Sequence, residues 1–203
     1  METWSDEKQH LATMLFTSGC IKFGAFTLKS GIVSPIYIDL RAIVAFPVLL
    51  KTITQAYIHI IQQLQFNQIV ALPYAALPLG TSISLYMEIP LLYPRKETKT
   101  YGTKAIIEGI YAPNESVVVI DDLITSGNSM YEAIEKLHNA GLLMKDFVVL
   151  IDRENGGTQR LNNDGYNLHS VFKISDLLKY WKRENLITVD TYLLVLEFLR
   201  STS

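Results

Sequence analysis

Four short, unbroken apolar runs constrain this chain more than anything else in it: Ile69 to Leu72, Leu91 to Tyr93, Val117 to Ile120 and Phe147 to Ile151. A strand with one wet face alternates apolar and polar residues, whereas a continuous run suits a strand covered on both faces. Stretches of helical period separate the runs. That alternation predicts an α/β chain: a central, mainly parallel sheet flanked by helices and wound by right-handed crossovers. Ahead of the first run, Pro47 suits a first helical turn, and Leu50, Ile53, Tyr57, Ile60, Ile61 and Leu64 follow at helical spacing. Another helix is predicted to begin near Asn128, where Ser129 and Glu132 have the spacing of a capping box. Met130, Ala133, Ile134 and Leu137 form its apolar face and Gly141 ends it. Ser175 to Leu199 reads as two more helices.

The N-terminal part has a different texture. Ser5 followed by Asp6 and Glu7 reads as a helix start, with Leu11, Met14 and Leu15 at helical spacing and Gly19 as the stop. This helix is expected at the periphery. Phe23 to Leu28, a turn at Lys29 to Gly31, and Ile36 to Asp39 read as a hairpin that would form a small hood. A chain of 203 residues, 49% of them hydrophobic, can bury about 70% of its unfolded surface in one core. No repeat or proline-rich linker divides it. The expectation is one domain over residues 1–203, with a hood of approximately 1–45 plus parts of the C-terminal region and a core of approximately 46–175.

Charge and cysteine content narrow the partners. Eighteen basic and 20 acidic residues leave a net charge of -2, which gives no excess positive field for a nucleic acid or an anionic membrane. An anionic ligand must then be held by a local basic cluster. The single cysteine, Cys20, forms no intramolecular disulfide and is expected to be an apolar filler. The acidic start differs from a signal peptide, and no uncharged apolar run reaches the roughly 18 residues of a membrane span. A cytoplasmic protein is predicted. The four histidines, His10, His59, His138 and His169, lack ligand-like spacing and read as structural.

The segment Val117-Val-Val-Ile-Asp-Asp-Leu-Ile-Thr-Ser-Gly-Asn-Ser-Met130 carries the most chemistry. It puts two adjacent carboxylates, Asp121 and Asp122, at the end of a buried strand, then a small hydroxyl-rich turn before a helix. Helix N-termini present unpaired N–H groups and the positive end of the dipole, which favours a phosphate. Gly127 lets backbone approach that anion, and Thr125 and Ser126 add hydroxyl donors. Ionised aspartates are acceptors only, which suits ribose hydroxyls or a hydrated magnesium ion. Together these are acceptors for a sugar and donors for its phosphate. The same residue types also make an ordinary polar turn. Neither a Walker lysine motif nor a Gly-x-Gly-x-x-Gly fingerprint is present.

Two carboxylates, two aliphatics, then Thr-Ser-Gly after an apolar strand resembles the phosphoribosyl pyrophosphate motif of type I phosphoribosyltransferases. Four further stretches resemble the orotate phosphoribosyltransferases: Phe23 to Gly31, Ser34 to Arg41, Pro94 to Lys104, and Asp152-Arg-Glu154. The similarity runs from about Gly19 to Ser175 and is closest to the phosphoribosyltransferase half of UMP synthase. It implies a type I phosphoribosyltransferase fold, a magnesium-dependent transfer of ribose 5-phosphate from phosphoribosyl pyrophosphate to orotate, and a homodimer sharing a mobile loop across its interface.

Residue roles follow from that resemblance. Lys99, Asp121 and Asp122 are implied as catalytic. Arg95, Lys96, Lys99, Tyr101, Asp121, Asp122, Leu123, Ile124, Thr125, Ser126, Gly127, Asn128 and Ser129 are implied to bind phosphoribosyl pyrophosphate. Lys29, Tyr37, Thr125 and Arg153 would bind orotate, while Pro73, Tyr74, Ala75 and Ala76 would form a pyrophosphate loop. Magnesium would be held mainly by substrate, with Asp121 or Asp122 reaching it through water. On the residues alone, Lys29 reads as a surface lysine, Arg95 to Lys104 as a solvated loop, and Arg153 as one side of an ion pair with Asp152 or Glu154. Two positions depart from the bacterial stand-alone enzymes: Ala75 stands where a lysine is common and Tyr101 where a histidine is common.

Overall fold

In the computed structural model, which describes residues 4–27, 31–96 and 106–201, each apolar run forms a strand. They are β3 (Gln68–Ala71), β4 (Leu91–Pro94), β6 (Ser116–Ile124) and β7 (Leu143–Asp152). Two short edge strands extend the sheet: β5 (Ile107–Glu108), antiparallel to β4, and β8 (Asn167–Lys173), parallel to β7. The order is β5-β4-β3-β6-β7-β8, with every pair except β4 and β5 parallel.

Alternate residues of the runs divide between two cores, which is why the runs are unbroken. Ile69, Ala71, Val118, Ile120, Val148 and Leu150 face α2 (Pro47–Ile61) and α3 (Ala76–Met87). Val70, Leu72, Val119, Phe147 and Val149 face α4 (Asn128–Asn139) and Leu161 of α5 (Gly157–Asn163). Pro47 opens α2, where its missing N–H leaves no intrahelical bond unmade. Gly80 of α3 is needed where that helix presses on β3, since a Cβ there would lie 2.5 Å from the Ala71 Cβ.

The hairpin of β1 (Ile21–Thr27) and β2 (Val33–Ile38) lies on the α2 side, antiparallel, with a register shift between Phe23 and Phe26. Its Ile21 and Ile36 belong to the same buried cluster as one face of the sheet. The two C-terminal helices, α6 (Ile174–Arg183) and α7 (Val189–Ser201), complete that cluster with Leu177, Trp181, Val195 and Leu199. The first helix, α1 (Asp6–Thr17), is capped by Ser5, whose hydroxyl accepts from the Lys8 N–H. Contrary to the peripheral placement expected from sequence, Leu11, Ala12 and Leu15 are fully buried. The reason is a distant partner: the buried indole of Trp181 donates its Nε1–H to the Ala12 carbonyl at 2.9 Å. Trp4 stacks on Tyr180, with ring centroids 5.3 Å apart, beside the start of α1. Losing Trp181 to alanine would cost about 3–5 kcal/mol.

The capping box expected at Ser129 and Glu132 does not form. Gly127, at φ 81°, is the N-cap of α4 and no side chain caps the helix, so its first-turn N–H groups are left to a ligand or water. Cys20 is buried and Gly141, at φ 76°, follows the end of α4 as expected.

Candidate active site

The order of the strands fixes where a ligand can sit. From β3 the chain crosses by α3 to β4 on one side, and from β6 it crosses by α4 to β7 on the other. The loops leaving the carboxyl ends of β3 and β6 therefore diverge, opening the crevice in which α/β sheets hold ligands. Four segments meet that end of the sheet: Leu72 to Ala76, Arg95 and Lys96, Asp121 to Asn128, and Asp152 to Gly157. A cleft of about 120 Å³ between Leu64, Phe66, Val118, Met144 and Asp146 lies at the opposite, amino-terminal end and contains none of these side chains.

At the end of β6, Asp121 is buried and Asp122 half-buried. Asp121 Oδ1 accepts the Asp122 N–H at 2.9 Å, and the Asp121 carbonyl accepts the buried Tyr57 hydroxyl at 2.7 Å. Burial, followed by the charge of Asp122, pushes the Asp121 carboxyl well above the usual carboxylate range, while the Ser129 hydroxyl pulls the other way. Burial also raises Asp122, opposed by hydrogen bonding from Asp121 and by the positive charge of Arg41. Both shifts disfavour two full negative charges side by side at the end of β6. Burial and both carboxylates together raise the Tyr57 hydroxyl well above its ordinary value, so it stays a donor.

The turn after the pair is pinned from the neighbouring strand. The Arg153 N–H donates to the Ile124 carbonyl and the Gly157 N–H to the Thr125 carbonyl, each at 3.0 Å. Arg160 Nη1 donates to Asn128 Oδ1 at 2.9 Å while its guanidinium lies 3.9 Å from the centre of the Tyr131 ring. Gly157 has no alternative residue, since a Cβ there would come within 2.3 Å of the Thr125 carbonyl oxygen. Asp152, itself buried, organises this second turn: Oδ1 accepts the Glu154 N–H and Oδ2 the Thr158 hydroxyl, each at 2.7 Å. Both of its oxygens being engaged, Asp152 makes no ion pair with Arg153. Among the described residues nothing pairs with Arg153 Nε, although that atom is buried. Partial burial lowers the Arg153 pKa.

A family profile described as the phosphoribosyl transferase domain matches residues 41–175. The orotate phosphoribosyltransferase of Caenorhabditis elegans is 41% identical over 166 residues, covering 81% of this chain and 73% of that protein. This chain belongs to the orotate phosphoribosyltransferase family. The uridine 5'-monophosphate synthase of Bos taurus is 39% identical over 195 residues, covering 95% of this chain and 41% of its own length. The Leishmania donovani UMP synthase structure superposes with a TM-score of 0.88 at 43% identity, covering 96% of this chain and 42% of that one. The chain thus spans about two fifths of the length of these two UMP synthases.

In this orotate phosphoribosyltransferase family member, the residues expected at the site from sequence divide into three groups. The first stands at the carboxyl end of the sheet: Asp121, Asp122, Thr125, Ser126, Gly127, Asn128, Ser129 and Arg153, with Ser126, Asn128 and Ser129 exposed. The second is committed elsewhere. Ile124 packs its side chain into the α4 core and Leu123 against the α2 core, leaving only backbone to a ligand. Arg95 forms an ion pair with Glu108 of β5, and its carbonyl accepts from Lys136 Nζ at 2.8 Å. Ala76 is buried at the start of α3. Pro73 is joined to Tyr74 by a cis peptide, and Tyr74 is exposed with Lys96 Nζ 4.5 Å from its ring centre; half-buried Ala75 precedes α3. Tyr37 is half-buried, its ring 5.4 Å from that of Phe26 and its hydroxyl within 3.4 Å of Arg41 Nη2. The third group, Lys29, Lys99 and Tyr101, lies outside the described residues. Tyr57 was named from sequence only as part of a helix face and Asp152 only within the Asp152-Arg-Glu154 stretch; Gly157, Thr158 and Arg160 were not singled out. Only the Gly156-Gly157 pair after Asp152-Arg-Glu was a local signal; the other contacts join distant parts of the chain.

Proposed function

We propose that this chain transfers ribose 5-phosphate from phosphoribosyl pyrophosphate to orotate, releasing pyrophosphate and giving orotidine 5'-monophosphate for pyrimidine synthesis. One observation carries the reading. A carboxylate pair, a glycine-hydroxyl turn at a helix start and a half-buried arginine, whose buried Nε has no partner among the described residues, meet at the same end of the sheet. The pair offers acceptors to the ribose hydroxyls, the turn offers N–H and hydroxyl donors to the 5-phosphate, and Arg153 offers planar donors to a carboxylate or carbonyl of orotate. A purine lacks that carboxylate.

In the reaction the ring nitrogen of orotate forms the new bond to the anomeric carbon as the bond from that carbon to pyrophosphate breaks. The electron pair leaves with pyrophosphate. Positive charge grows on the sugar in the transition state, beside Asp121 and Asp122. Negative charge grows on the leaving group, where Lys96 and Lys99 would stabilise it more than in the ground state. Arg95, paired with Glu108, would serve that end mainly by shaping the ribbon that carries Lys96. Thr125 to Asn128 fix the sugar by its phosphate, so that attack is effectively intramolecular.

The residues present fit a hydrated divalent cation: two adjacent carboxyl groups stand at the end of β6, Asp122 the less buried of the two. Magnesium would be held mainly by substrate, with Asp121 or Asp122 reaching it through water, and would supply neutralising charge at the leaving group. A second copy of the chain and a cytoplasmic setting accompany this reading; no helix among the described residues is long and apolar enough to cross a membrane.

The deciding experiment follows the absorbance of orotate with purified protein, phosphoribosyl pyrophosphate and magnesium. Adenine, guanine, hypoxanthine and uracil are assayed in parallel by pyrophosphate release. Magnesium-dependent consumption of orotate alone is expected. Turnover of another base would remove the role given to Arg153, and ligand binding without turnover would make the chain a sensor of phosphoribosyl pyrophosphate.

A further inference from the structure

The turn after β7 touches both halves of the site. On one side it carries Arg153; on the other its Arg153 and Gly157 N–H groups hold the Ile124 and Thr125 carbonyls of the phosphate turn. Gly157 is also packed closely against the phosphate turn. A Cβ on Gly157 would meet the Thr125 oxygen at 2.3 Å and the Ile124 side chain at 2.8 Å, so any displacement of residue 157 is passed directly to residues 124 and 125.

The turn's own shape is fixed by a buried carboxylate. Asp152 is only 4% exposed, and its two oxygens bind successive points of the turn, the Glu154 N–H and the Thr158 hydroxyl. The Glu154 side chain in turn accepts the Ser175 N–H at the start of α6 at 2.9 Å, anchoring the turn to the opposite layer. Glu154 has φ 56° and Gly156 φ 81°, conformations that depend on such ties.

We propose that Thr158, acting through Asp152, is a positioning residue that keeps the base-binding and phosphate-binding halves of the site in register. This rests on the function proposed above, which assigns those halves to Arg153 and to Thr125–Asn128. Without the Thr158 hydroxyl, Asp152 Oδ2 is a buried acceptor with no donor. The turn relaxes to find one, taking Arg153 and the phosphate turn with it. A residue serving only one half would perturb one ligand; Thr158 should perturb both in the same proportion.

The test uses Thr158→Val, which keeps the shape and deletes the donor, and Thr158→Ser, which restores the donor. Calorimetric titrations with ribose 5-phosphate and with orotate in the presence of pyrophosphate read the two halves separately. Thr158→Val should weaken both by a similar factor, roughly three- to tenfold, and Thr158→Ser should restore both to within about twofold. Ile61→Val, a buried change at the far end of α2, controls for lost stability and should leave both affinities unchanged. Weakening of one ligand alone, no weakening, failure of serine to restore, or equal weakening in Ile61→Val would overturn the proposal. If Thr158→Val does not fold, Thr158→Ala, which deletes the same donor, is titrated in its place and should weaken both ligands; an unaltered ribose 5-phosphate affinity there would equally overturn it. Wild-type protein that binds ribose 5-phosphate but not orotate would refute the base assignment instead. The phosphate titrations alone would then decide whether Thr158 props the phosphate turn.

Discussion

Two loops leave adjacent, parallel strands at the same end of the sheet, yet they are built differently. The stretch from the end of β6 to the start of α4 is tied from other elements at four places: Tyr57 holds Asp121, Arg153 holds Ile124, Gly157 holds Thr125, and Arg160 holds the Asn128 side chain. The loop after β3 is held at its first residue, where the Leu72 N–H donates to the Ile120 carbonyl at 3.0 Å, and beyond that has lighter ties, a 3.3 Å bond from the Leu77 N–H to the Tyr74 carbonyl and the cation of Lys96 over the exposed Tyr74 ring. A phosphate that stays with the sugar through the reaction suits a cradle made in advance. A leaving group that must be gripped and then released suits groups that can rearrange around it.

The comparison can be broken most decisively from the leaving-group side. Lys99→Ala should lower kcat by roughly a hundred- to a thousandfold, about 3–4 kcal/mol, while orotate affinity moves less than about twofold. Equal losses in steady-state kcat and in orotate titration would remove its role at the departing pyrophosphate. Next in size, Gly127→Ala in the tied loop forces a side chain into φ 81° and should cost about 1–2 kcal/mol. That corresponds to a fall in Tm of several degrees and roughly tenfold in KM for phosphoribosyl pyrophosphate. Ala75→Gly in the light loop should leave Tm within about one degree. If scanning calorimetry gives both variants the same loss, the contrast between the loops is wrong.

A third outcome concerns pH. The Asp121 carboxyl is raised in the folded protein above its ordinary 3.8, so the native state holds a proton that the unfolded chain has lost. Stability must then fall as pH rises above that value towards the native pKa. Asp121→Asn removes the penalty and should have a higher Tm than wild type near neutral pH, with the advantage shrinking as pH falls towards 4, while activity is lost. A constant difference in Tm from pH 4 to 8 would contradict the burial of that charge. Smallest of all, Ala75→Lys places a cation in the light loop and should lower KM for phosphoribosyl pyrophosphate by roughly threefold without moving Tm. An increase in KM would mean that this loop is not beside the pyrophosphate.

Legibility in the sequence followed the range of the contacts. The strands β3, β4, β6 and β7 were readable because burial on two faces leaves an unbroken apolar run, and Asp121 to Gly127 because its chemistry lies in consecutive residues. The edge strand β8, Asn167-Leu-His-Ser-Val-Phe-Lys173, went unread because its exposed positions dilute the apolar signal. For α1 the local pattern was correct and the burial was not, since its cover is Trp181, 169 residues away. Ser129 and Glu132 had the spacing of a capping box, but Gly127 takes the cap position and Ser129 turns towards Asp121. The ties from Tyr57, Asp152 and Thr158 join elements whose neighbourhood only the sheet order reveals.

The aromatic cluster that seals α1 also decides what an optical experiment on this protein can see. The chain has two tryptophans, Trp4 and Trp181, and both lie on the α2 side of the sheet against Phe16, Phe23, Phe172 and Tyr180. Intrinsic tryptophan emission is therefore a one-sided reporter. It registers detachment of the terminal helices or the hairpin, and is nearly blind to changes at α4 and the phosphate turn. A ligand titration that leaves emission flat is thus no evidence against binding, and a tryptophan placed on the outer face of α4 would supply the missing channel.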